Sequence, residues 1–141
     1  MNDINELNEK ENMDVDVKFN PSVLKPFARN EVMLNITLKN NSNSILYWGE
    51  CDINVQPPLS LASDIDLNAG RMRIGILKPN HSISKPARIY TRLNNYPDDY
   101  VFKIIAYFYD EDGAIVKRIE KNITIPCIEQ NNGNNMNTLQ V

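Results

Sequence analysis

The strongest constraint in this chain is a hydrophobic period of two. Val32, Leu34, Ile36 and Leu38 alternate with Met33, Asn35, Thr37 and Lys39. That spacing places apolar side chains on one face of an extended strand and polar ones on the other. The same period recurs in Val15-Val17-Phe19, in Cys51-Ile53-Val55, in Met72-Ile74-Ile76 and in Ala87-Ile89-Thr91-Leu93. It continues in Tyr100-Phe102-Ile104-Ala106-Phe108, and Ile115, Ile119, Ile123 and Ile125 mark a last strand. Turn chemistry separates the runs: Asn40-Asn41-Ser42-Asn43-Ser44, Pro57-Pro58, Pro79-Asn80 and Asp110-Glu111-Asp112-Gly113. About seven strands without a convincing amphipathic helix predict an all-β, immunoglobulin-like, two-sheet antiparallel sandwich.

Length and charge fit one such domain. The 141 residues allow a single core. Residues 1–16 hold six acids and one base, so they carry −5 of a net −3 and leave +2 elsewhere. The expected organisation is an acidic tail over 1–13, a sandwich over 14–128 and an asparagine-rich tail over 129–141, both tails disordered. No run of about 18 apolar residues is present, so no membrane partner is expected. The start of the chain lacks the basic and apolar regions of a secretory signal, which favours a cytoplasmic protein, or an extracellular one whose leader was removed.

One stretch of the pattern resembles a known family. Asn20-Pro21-Ser22-Val23-Leu24-Lys25-Pro26 precedes a strand closing in Leu38-Lys39-Asn40-Asn41. Gly75-Ile76-Leu77-Lys78-Pro79-Asn80-His81-Ser82 and Tyr100-Val101-Phe102-Lys103-Ile104 follow. This order resembles the CARDB-type modules of archaeal and bacterial proteins. The resemblance implies an immunoglobulin-like fold that binds macromolecules or acts as a spacer. Ala28-Arg29-Asn30 stands where such modules carry a glycine turn, and Asn80 replaces the second glycine of the later turn.

Catalytic chemistry finds little support. His81 is the one histidine and sits in a turn. No cofactor motif is present, and five isolated glycines build no phosphate loop. Asp64, Asp66 and Asn68 resemble the start of a calcium loop. Ala69 stands where its glycine belongs, however, and Gly75 where its bidentate glutamate belongs. Cys51 and Cys127 should lie near opposite ends of one sheet and stay free thiols, because in the usual strand order the third and last strands run parallel.

The expected function is a non-enzymatic protein-binding or structural module; a carbohydrate-binding module using exposed aromatics is the alternative. Two surfaces are candidates. If Tyr100, Phe102, Ile104, Ala106 and Phe108 face inward, then Val101, Ile105, Tyr107 and Tyr109 face outward, joined by Val116 if Ile115 faces inward. That apolar face suits a protein partner or a second copy. A second surface would gather Lys39, Arg71, Arg73, Arg88, Tyr90 and Arg92, provided the Pro79 turn makes the flanking strands neighbours. It would bind an anion or a nucleic acid. Trp48 is either a packing residue or an exposed ring that stacks on a sugar or a partner. A flat row of rings would favour sugar, and a mixed aliphatic–aromatic patch would favour protein.

Overall fold

The computed structural model describes residues 12–129. Seven strands form: β1 (Met13–Asn20), β2 (Asn30–Asn40), β3 (Tyr47–Asn54), β4 (Ala69–Leu77), β5 (His81–Thr91), β6 (Asp98–Tyr109) and β7 (Ile115–Cys127). They make a three-stranded sheet, β1-β2-β5, and a four-stranded sheet, β4-β3-β6-β7, antiparallel throughout. The chain is an all-β two-sheet sandwich, as the alternation predicts. Met13 is buried and opens β1, so the sandwich starts one residue before the expected boundary. The tails expected at 1–13 and 129–141 otherwise lie almost wholly outside the described residues.

The inward positions of both sheets close one core. Val15, Leu34, Ile36, Leu38 and Ile89 face Cys51, Ile53, Phe102, Ile104, Ala106 and Phe108, all buried. Burying such side chains contributes about 1.5–3 kcal/mol each before entropy is set against it.

Strand β4 departs from the usual immunoglobulin order. It hydrogen-bonds to β3, and β5 lies in the other sheet. The Pro79-Asn80 turn therefore carries the chain from one sheet to the other. Asn80 sits at φ 61°, a conformation asparagine tolerates better than most residues, and its N–H donates to the Ser42 carbonyl at 3.1 Å. Beside β5, the position an extra strand would take is held by a single exchange of hydrogen bonds between Ser60 and Tyr90. The Ser60 hydroxyl organises that loop by donating to the Ile65 carbonyl and accepting from the Ala62 and Leu67 N–H groups.

Both cysteines are free and buried. β3 and β7 each run antiparallel to β6, with Cys51 opposite Ala106 and Cys127 opposite Asp98. Eight residues of strand separate those positions, roughly 26 Å, well beyond disulfide reach. Burial pushes the Cys51 thiol up to about 12, with the adjacent Asp52 carboxylate adding to the shift. A thiol reagent at neutral pH should therefore react slowly with the native protein and count two thiols per chain after unfolding. A count below two under non-reducing conditions would contradict this arrangement.

Candidate contact surface

The outer face of the four-stranded sheet has two parts. At the end where β3 and β7 begin, Ile76, Trp48, Tyr109 and Ile115 stand in one row across all four strands, each opposite the next. Ile76 and Ile115 are 54% and 55% exposed, and the two rings between them are half-buried. The Trp48 indole N–H donates to Glu50 Oε2 at 2.9 Å. Tyr107 lies one pair further along β6, its ring 6.4 Å from that of Tyr109.

Beyond that row the face is charged and carries two groups of ion pairs. Arg71 donates to both oxygens of Asp52, at 2.6 and 3.0 Å, and reaches Glu50 at 3.4 Å. Its guanidinium also lies 5.0 Å from the centre of the Tyr107 ring, within cation–π range. The hydrogen bond from Arg71 holds the Asp52 carboxyl below the usual carboxylate range. Glu120 bonds Arg118 at 3.0 Å and Lys103 at 3.4 Å, and its carboxyl is lowered by the Arg118 bond.

The expected contact residues divide accordingly. Tyr107 and Tyr109 are on the outer face and half-buried. Val101 is also outward and exposed, but it lies at the far end, opposite Thr124. Ile105 points outward yet is only 6% exposed. It stands opposite Asp52 on one side and ion-paired Glu120 on the other, and a side chain so little exposed offers almost no contact area. Val116 packs against the core, and Ile115 takes the outward place instead. The cause is a register shift at Phe108/Tyr109, since one extra residue reverses the facing of every position before it along β7.

The period-two run Met72-Ile74-Ile76 puts all three side chains on one face, and a bulge again reverses the last of them. The β3–β4 register shifts at Gly49/Glu50, with Gly75 at φ 128°, a conformation glycine adopts without a Cβ clash. Ile74 stays inward and Ile76 turns out.

The basic surface does not assemble. Arg71 and Arg73 belong to the four-stranded sheet, whereas Lys39, Arg88, Tyr90 and Arg92 belong to the three-stranded sheet or its margin. The crossing at Pro79 separates the two groups. Acids also offset the cations: Arg88 pairs with Glu31 at 2.9 Å, Arg92 with Asp66, and Lys39 stands opposite Asp14. The Asp64–Asn68 segment is occupied by the same chemistry. The Arg92 guanidinium donates to the Asp64 carbonyl and the Asp66 carboxylate, and the Asn68 carbonyl accepts from Val55. Among the described residues no group of three or more ligating side chains could hold a metal ion. His81 is exposed, its Nδ1 lying 2.8 Å from the Pro79 carbonyl. Among the described residues no helix is long and apolar enough to cross a membrane.

No protein-family model and no curated protein matches this sequence. The sandwich is similar to AvmM, described as catalysing macrocyclization in alchivemycin A biosynthesis, at 11% identity, 85% of this chain, 90% of that one and a TM-score of 0.54. It is also similar to the sporulation control protein Spo0M of Bacillus subtilis, at 10% identity over 84% of this chain and a TM-score of 0.48. The chain spans 50% of Spo0M. At 11% identity the likeness to AvmM shows a shared fold alone.

Proposed function

We propose that this chain is a non-catalytic protein-binding module that docks its partner on the outer face of the four-stranded sheet. The Ile76–Trp48–Tyr109–Ile115 row carries this reading. A solvated antiparallel sheet normally presents polar residues outward, and an apolar row rimmed by charge is the anatomy of a protein contact. Aromatic residues supply much of the energy at such contacts. The CARDB-like turn pattern points the same way.

Carbohydrate binding is the second reading, since Trp48, Tyr107 and Tyr109 share one face. Sugar stacking needs bare ring faces, however. Arg71 lies over Tyr107, and the row ends in isoleucine on both sides. The patch is aliphatic and aromatic together, which suits a protein.

A photocrosslinking phenylalanine analogue at position 115 of the full chain tests the choice. In native extract it should form an adduct with a protein, a second copy appearing at twice the chain mass. Ile76→Asp with Ile115→Asp should abolish the adduct and leave Tm within a few degrees, because both side chains are more than half exposed. Retention on immobilised polysaccharide without protein adducts would favour the sugar reading instead.

A further inference from the structure

The opposite end of the sandwich presents a second surface. Phe27, Leu93 and Tyr96 are 56%, 60% and 66% exposed. They come from the loop before β2 and the loop before β6. The Phe27 and Tyr96 rings meet edge to face with centres 5.5 Å apart. With Arg29, Arg92 and Asn94 they line a shallow cleft, wide open to solvent. Two of its six lining residues are arginines and none is acidic. Arg92 is paired with Asp66, whereas Arg29 is exposed and has no ion-pair partner among the described residues.

Phe27 is held there against its own backbone preference. Its φ is 55°, which a bulky residue rarely adopts. The surrounding chain enforces it. The Phe27 N–H donates to the Asn95 carbonyl at 2.9 Å, and the Ala28 N–H donates to Asn95 Oδ1 at 3.2 Å. The fully buried Asn95 amide donates to the Lys25 carbonyl at 2.7 Å. Asn30 donates to the Lys25 and Ala28 carbonyls and accepts from the Lys25 N–H, and the Thr91 hydroxyl donates to the Ala28 carbonyl. Glycine would satisfy the same backbone without strain. A ring that is strained, over-determined by its surroundings and turned to solvent marks a ligand-facing position rather than a packing one.

We infer that this cleft is a docking site, separate from the sheet face, for a peptide segment that carries an apolar side chain beside a carboxylate. The two rings and Leu93 supply the apolar seat. Arg29 supplies the cation, and its planar guanidinium suits a carboxylate better than a lysine would.

The test uses three short synthetic peptides amidated at the C-terminus, acetyl-GLELEG-amide, acetyl-GLKLKG-amide and acetyl-GSESEG-amide, titrated into the full chain and followed by NMR shifts of residues 27, 93 and 96. The first should bind at least tenfold more tightly than either control. Arg29→Glu should reverse the preference between the acidic and the basic peptide. Phe27→Gly is the decisive variant: it should weaken the first peptide at least tenfold while Tm stays level or rises. A fall in Tm of several degrees would make Phe27 a structural residue and overturn the inference. Equal binding of the three peptides, or no binding of the first, would overturn it as well.

Discussion

Alanine at position 40 should cost this sandwich about 3 kcal/mol of stability. Asn40 closes β2 and is fully buried. Its amide nitrogen donates to the Ile45 carbonyl at 2.8 Å and to the Leu77 carbonyl at 2.9 Å. Its Oδ1 accepts from the Ser42 N–H at 3.0 Å and from the Ser42 hydroxyl at 2.7 Å. One side chain thus fixes the β2–β3 turn and ties it to the end of β4 in the other sheet. Truncation removes four hydrogen bonds worth about 1 kcal/mol each and leaves buried polar groups without a replacement, while the turn relaxes and recovers part of the loss. For a domain of this size the loss corresponds to about 10–15 °C in Tm. Chemical denaturation should show a lower midpoint with an unchanged slope. Asn40→Asp should be worse than alanine at pH 7, because a carboxylate would face two carbonyl oxygens. It should recover partly at pH 4, where the protonated acid can donate one of the lost bonds. A loss under 1 kcal/mol for Asn40→Ala would show that the turn holds itself without this side chain.

The alternation of β2 already places Asn40 inward, two residues after Leu38, and the turn cluster after it is equally legible. One partner, the Leu77 carbonyl, comes from a distant segment, so the link between the two sheets is not. The same distinction runs through the molecule. Strands and turns are local, and all seven strands follow from period and punctuation. The Asp110 hairpin closes as its residues suggest, with Gly113 at φ 81° and Asp110 Oδ1 accepting from Asp112 and Ala114. The sheet to which an edge strand belongs is a tertiary choice, and β4 takes the partner that its cross-strand Arg71–Asp52 pair also joins.

The candidate contact row was legible only in part, for a specific reason. Trp48 and Tyr109 lie in phase with their strands, and their outward facing follows from counting by twos. Ile76 and Ile115 do not, because each lies beyond a bulge that resets the count. Gly75 was the one visible sign of the first bulge, since an isolated glycine inside a strand pattern often marks one. Nothing comparable marks the second. Phe27 was hidden for a different reason: positive φ is rare for phenylalanine, and its cause lies in Asn30, Thr91 and Asn95, one of them 68 positions away along the chain.

Valine at position 49 should destabilise the protein by about 3 kcal/mol, and alanine there by about 1 kcal/mol. Gly49 is buried and inward-facing on β3. A Cβ would lie 2.9 Å from Leu38 Cδ2 of the opposite sheet, 3.0 Å from Leu77 Cδ1 and 3.5 Å from Ile74 Cβ. The first two are the tips of flexible side chains, so a single methyl can be admitted by small rotations of both leucines. Two further methyls cannot, because Ile74 Cβ is fixed to its backbone beside the bulge and the interior has little free volume. The effect is one of packing alone, since Gly49 has no positive φ to lose. This makes it testable by compensation. Gly49→Ala should cost less in a Leu38→Val background than in the native one, where Leu38 Cδ2 occupies the space the new methyl needs. Equal costs in both backgrounds, measured by urea unfolding, would mean that contact with Leu38 is not what keeps glycine at this position.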